Sequence, residues 1–123
     1  AQQDLRDFYS RLLNLSATSD AIRQGKFYEL QDANNLGKEY NQRHLYTFLR
    51  YTGKQQLLIV VNFSADKTYR PTLNIPAEAL TAMGLNPKKF YTYTDLLNNG
   101  TPRNDLYVKL EPLSAHVFEL KAK

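Results

Sequence analysis

Apolar positions between residues 4 and 15 fall at Leu5, Phe8, Tyr9, Leu12, Leu13 and Leu15. The i, i+3, i+4, i+7, i+8 spacing predicts an amphipathic helix, with Asp4 as its N-cap. These six side chains span an arc of roughly 160°, wider than the stripe of about 100° with which a helix docks on one surface. The helix is therefore expected to have two neighbours. Thr18, Ser19 and Asp20 offer caps for a short turn through Ile22 and Arg23, and Gly25 would end it at low conformational cost.

From Lys26 the pattern changes to short extended runs separated by turn residues, which predicts an all-β domain. The expected strands are 26–31, 43–51, 56–63, 68–75, 89–94, 106–110 and 115–121, with a hairpin at Tyr51-Thr52-Gly53-Lys54. Pro71 cannot donate to a ladder and puts its run at a sheet edge. Leu106, Val108 and Leu110 alternate with Tyr107 and Lys109, as on a strand with one wet face. Two runs differ: Leu45 and Leu49 oppose Tyr46 and Phe48 in parity, and Leu57, Ile59 and Val61 oppose Leu58 and Val60. A sheet built on them must be covered on both faces, by an opposing sheet on one side and by the N-terminal helix or a neighbouring domain on the other. Pro76 to Leu80, stopped by Gly84, predicts a helical turn or two, and the polar stretch 33–42 a surface loop. The fold class is thus mainly β: an antiparallel Greek-key β-sandwich of about seven strands, preceded by one amphipathic α-helix.

The length of 123 residues is one domain's worth and excludes a (β/α)₈ barrel of about 250 residues. The longest aliphatic run, Leu57 to Val61, falls far short of the about 18 residues of a membrane span. Sixteen basic against twelve acidic residues give a net charge of +4, but the basic residues are scattered along the sequence, so neither a nucleic-acid nor a membrane partner is expected. Zero cysteines exclude a disulfide framework, a thiolate zinc site and a cysteine nucleophile, and leave cytoplasm, periplasm and medium equally open. The chain begins at Ala1 without a recognisable secretory leader, as expected of a processed form or a piece of a longer chain.

No acidic residue sits in a catalytic spacing. Asp95, between Tyr93-Thr94 and Leu96-Leu97, is expected to accept backbone N–H bonds in a turn. His44 and His116 have no partner at ligand spacing, the glycines form no phosphate loop, and neither a metal nor a cofactor is expected. Nine tyrosines and no tryptophan raise weak sugar contact as a candidate, because aromatic faces stack on pyranose rings. Tyr91 and Tyr93 share one parity of a strand and Tyr107 points to the wet face of another. The alternative is that tyrosine serves there as an ordinary strand residue.

The order of these segments carries a resemblance. The helix residues above, followed by Ala21-Ile22-Arg23-Gln24-Gly25-Lys26-Phe27, resemble the last barrel helix and exit segment of the α-amylase family, glycoside hydrolase family 13. Leu45 to Arg50 and Leu57 to Ser64 are similar to paired strands of that family's C-terminal β-domain. Tyr93-Thr94-Asp95-Leu96-Leu97 resembles its turn, and Leu110 to Leu120 its closing strand. The resemblance implies a division at residue 25: residues 1–25 the remnant of a barrel helix with its exit segment, and residues 26–123 the C-terminal domain. It implies a non-catalytic accessory domain of an enzyme acting on α-glucans such as starch or maltodextrin. The partner is then the catalytic barrel of the parent chain, docked by Leu5, Phe8, Tyr9, Leu12, Leu13 and Leu15, with weak α-glucan contact at Tyr91, Tyr93 and Tyr107. The isolated chain would be free to self-associate through its helix. The family's catalytic acids lie upstream of this region, so none is expected here. The rival readings are a stand-alone carbohydrate-binding module and a protein-interaction sandwich unrelated to glycans.

Overall fold

The computed structural model describes residue 10 and residues 25–34, 40–98 and 100–123. Apart from residue 10, the expected helix over 4–15, with its docking face Leu5, Phe8, Tyr9, Leu12, Leu13 and Leu15, and the turn through Arg23 lie outside the described residues, as does 35–39 of the polar insertion.

The described chain is mainly β. One antiparallel sheet contains β1 (Lys26–Glu29), β2 (Leu45–Tyr51), β3 (Gln56–Asn62), β4 (Tyr91–Asp95) and β5 (Ser114–Ala122), in the spatial order β1-β2-β3-β5-β4. Two short helices, α1 (Gln31–Asn34) and α2 (Ala77–Ala82), interrupt it. The β2–β3 hairpin runs from Leu45 opposite Asn62 to Tyr51 opposite Gln56, and its turn is closed by Thr52 N–H donating to the Gln55 carbonyl at 2.8 Å. Helix α2 follows Pro76 and stops where Gly84 takes φ 82°, a left-handed conformation that glycine adopts without Cβ strain.

Registers sort the sheet into two faces. Tyr28, Leu49, Leu58, Phe118 and Asp95 stand opposite one another across the strands on the inner side; Glu29, Phe48, Ile59 and Val117 do so on the outer side. The inner side holds the larger core, in which Leu45, Leu49, Leu58, Val60 and Phe118 meet Leu73, Leu106, Val108 and Leu110. The outer side carries a second cluster of Leu57, Ile59, Ala115 and Val117, joined by Leu97. Both parities of β3 are therefore buried, as its continuous apolar run requires.

The expected runs 68–75 and 106–110 pair with each other over the inner face, but through isolated bridges, Tyr69 with Leu110 and Thr72 with Tyr107. Both bridges share one register. Tyr69 and Leu110 exchange two hydrogen bonds, at 3.0 and 2.7 Å, whereas at the next pair Val108 donates to the Pro71 carbonyl and Pro71 has no N–H to return. The seven expected strands thus resolve into five continuous strands and one ribbon whose ladder proline interrupts.

Polar side chains finish what the ladders leave open. Leu30 N–H still bonds the Thr47 carbonyl, and then the chain turns away into α1. The Gln31 amide takes over as a substitute strand, accepting from Thr47 N–H at 3.0 Å and donating to the Leu45 carbonyl at 3.0 Å. Tyr40 Oη bonds the same amide and Thr47 Oγ1. The stretch 33–42, expected as a surface loop, is therefore partly interior: Asn34 and Tyr40 are buried, and Asn34 exchanges hydrogen bonds with the Asn74 backbone. At the far end of β3, the fully buried Asn62 amide donates to the carbonyls of Lys67 (2.8 Å), Leu110 (3.1 Å) and Glu111 (3.0 Å). Its oxygen accepts from Ser64 N–H at 2.9 Å. Ser64 in turn accepts the N–H of Leu113, the one described non-glycine residue with positive φ.

Asn62 therefore fastens the ribbon to the sheet, and its loss should act on the whole domain. Asn62→Ala strips buried carbonyls and the Ser64 N–H of their partner, at about 1–3 kcal/mol for each group left unsatisfied. The expected result is a fall of about 3 kcal/mol in unfolding free energy, read as a lower urea midpoint at unchanged denaturant slope.

Candidate functional site

Three places can carry function: the corner at Asp95, the tyrosines, and the outer face of the sheet. Asp95 ends β4 and is buried. Its Oδ1 accepts the N–H groups of Leu97 (3.1 Å), Asn98 (3.3 Å) and Val117 (3.3 Å), so the carboxylate organises a turn as its sequence setting predicts. Its Oδ2 accepts from Asn98 Nδ2 at 2.8 Å and meets His116 Nδ1 at 2.5 Å. Sequence spacing gives no sign of this pair, because 21 residues separate the partners and only the β4–β5 register brings them together. His116 Nε2 lies 3.1 Å from the Lys109 carbonyl, and its ring stacks on Phe118 at 5.6 Å. The imidazole thus ties β5 both to the turn and to the ribbon. Burial by itself would raise the Asp95 pKa; the hydrogen bonds from His116 and Asn98, the His116 charge and the Val117 N–H outweigh it and hold the carboxyl below the ordinary range.

The hydrogen-bonding capacity of Asp95 is spent on the turn, the Asn98 amide and the histidine. His44 is likewise engaged, with Nδ1 2.5 Å from Tyr69 Oη. Among the described residues, no group of three His, Cys, Asp or Glu side chains is arranged to hold a metal ion, and no helix is long and apolar enough to cross a membrane.

The three candidate sugar-contact tyrosines do not converge on one surface. Tyr91 is 7% exposed, and its hydroxyl donates to the Asn86 carbonyl at 2.8 Å. Its edge lines a cleft of about 390 Å³ at the hairpin end of the sheet, beside Lys54, Lys89 and Lys121. Tyr93 packs against the inner core, where burial first and the neighbouring Tyr91 second raise its phenol pKa. Tyr107, on the ribbon, is 54% exposed.

The outer face is the remaining surface. Phe27, Tyr46 and Phe48 form a ring cluster there, with centroids 5.3 Å (Phe27 to Phe48) and 5.1 Å (Tyr46 to Phe48) apart. Phe63 continues the outer parity past β3, and Phe90 precedes β4 on the same parity; both are exposed. The aromatic spacing in β2 is visible in the sequence, but the contribution of β1 is not, because it depends on the pairing of Phe27 with Arg50.

No family profile and no curated protein matches this sequence. Solved structures do. A structure of AmyP in complex with maltose superposes over 96% of this chain and 20% of its own, at a TM-score of 0.61 and 18% identity. An alpha-amylase from Anoxybacillus superposes over 95% of this chain and 22% of its own, at 0.61 and 19% identity. An isomaltulose synthase from Erwinia rhapontici NX5, in complex with D-glucose, superposes over 92% and 17%, at 0.58 and 21% identity. The chain thus spans about a fifth of the length of these structures, and its fold matches that of one piece of each.

The Asp95 corner yields a pH-resolved prediction. Asp95→Ala should lower stability by about 2–3 kcal/mol at neutral pH, where the ionised carboxylate holds its donors. A carboxyl with a lowered folded-state pKa contributes fully above its ordinary value of 3.8, and the contribution fades as pH falls through the lowered one. Urea titrations between pH 5 and pH 2 should show the two stabilities converging only below that value.

Proposed function

We propose that this chain is the non-catalytic C-terminal accessory domain of an α-amylase-like glycoside hydrolase acting on α-glucans. Residues 1–25 are then the end of the catalytic barrel and its exit segment, and residues 26–123 the accessory domain. The observation that carries this reading is the lopsided coverage: nearly the whole of this chain superposes on about a fifth of far longer chains. The domain's role is to cover the flank of the barrel. The wide apolar arc that the sequence predicts for residues 4–15 supports this role, since one side of roughly 160° suffices for the sheet and leaves the other for barrel strands. Glucan contact is at most an accessory property and centres on Tyr107, the most exposed of the three tyrosines.

The reading is tested in two ways, on the purified chain and on the gene. The purified chain should release no reducing sugar from starch or maltodextrin, and calorimetry with maltodextrin should give dissociation constants no tighter than about millimolar, since one exposed tyrosine ring offers little stacking area. Micromolar affinity lost in Tyr107→Ala would favour a carbohydrate-binding module. The gene provides the second test: the reading frame upstream of Ala1 should encode a barrel with three catalytic acids, and a frame without one would overturn the assignment.

A further inference from the structure

On the outer face the buried positions form a band. Leu57 and Ile59 on β3 and Ala115 and Val117 on β5 are 5% exposed or less, although these are adjacent strands on the side away from the main core. The band is flanked by accessible apolar residues. Tyr46 and Phe48 on β2 are only half-buried, and Phe27, Phe63 and Phe90 are 49%, 62% and 78% exposed. Helix α2 and the ribbon pack on the inner side, and among the described residues only Leu96 and Leu97 join the outer cluster from outside the sheet. Those two leucines sit beside Val117 at the β4 edge, three strand positions from β2.

Two adjacent strands span about 10 Å, the diameter of a single helix, whereas a second sheet or a globular partner would bury β2 and β4 as well. From Leu57 to Val61 the band runs roughly 13 Å, within the about 18 Å length of a twelve-residue helix. Residues 4–15 have that length and an apolar arc to match. The ten residues 16–25 lead from them into β1 and can extend over about 33 Å, ample to cross the two strand spacings from β1 to β3.

We propose that the apolar side of residues 4–15 docks along the β3–β5 band, making Ile59 and Val117 the floor of a helix seat. The exposed Phe27, Phe63 and Phe90 then form the margin open to a further partner. In naming that partner as the catalytic barrel, the inference rests on the function proposed above; the seat itself does not.

The absence of native cysteine permits a direct test in the full chain. Ile59→Cys is paired in turn with Leu5→Cys, Phe8→Cys, Leu12→Cys and Leu15→Cys, and Tyr107→Cys replaces Ile59→Cys in the control series. A disulfide forms readily only where Cα atoms approach within about 7 Å. Under mild oxidation at least one Ile59→Cys pair should convert to a faster-migrating monomer, reversed by reductant, and no Tyr107→Cys pair should. Val61→Cys, less buried than Ile59, repeats the series should Ile59→Cys impair folding. No intramolecular cross-link from either anchor, or cross-links only between chains, would overturn the proposal. The barrel reading fails separately, on the upstream frame, and a cross-link obtained without a barrel would leave the helix seat standing.

Discussion

Strand β3 has to be dry on both sides. Leu58 and Val60 face the inner core and Leu57 and Ile59 the outer cluster, all of them buried. Burying such a side chain contributes about 1.5–3 kcal/mol, so a sheet covered on one face only would forgo several kcal/mol at its centre. The placing of β3 and β5 in the middle, the ribbon over the inner face and the apolar outer face all follow from this requirement.

Hydrophobic burial fixes which faces are covered but not where the covering segments are tied down. Side-chain amides and one buried carboxylate settle that. Gln31 extends the β1–β2 pairing by a side chain, Asn62 clamps the ribbon to the end of β3, and Asp95 with His116 joins the β4 turn to β5 and the ribbon. Each lies where a strand ends, the place at which backbone groups would otherwise be buried without partners. Polar groups that look like candidate chemistry in the sequence are thus consumed by architecture. Asn62, which begins an Asn-x-Ser triplet, is fully buried by its structural task.

The double parity of 45–51 and 57–62 made the two-sided sheet legible in the sequence, because alternation is a local signal and each face reads from one strand. The Asp95 turn was legible for the same reason. The ribbon's broken ladder was half legible: Pro71 marks a missing donor, but its pairing with Val108 depends on a register set 37 residues away. The His116 contact with Asp95 and the Gln31 amide's role were not legible, since both depend on which strand ends lie side by side. The tyrosines misled in another way. Tyr91 and Tyr93 share a parity, as the sequence says, but that parity faces the core, and strand alternation does not say which face is wet.

The central claim is that the outer face of β3 is covered by residues 4–15. Ile59 lies at the middle of that face, whereas Ile75 packs against the inner core and Ile22 precedes β1 in the sequence, so isoleucine methyl labelling gives three separable probes. Nuclear Overhauser contacts from the Ile59 δ1 methyl to protons of Leu5, Phe8, Leu12 or Leu15 are the predicted result, with none of these seen from Ile75. An Ile59 methyl that contacts only Phe48, Val61, Val117 and solvent would contradict the account.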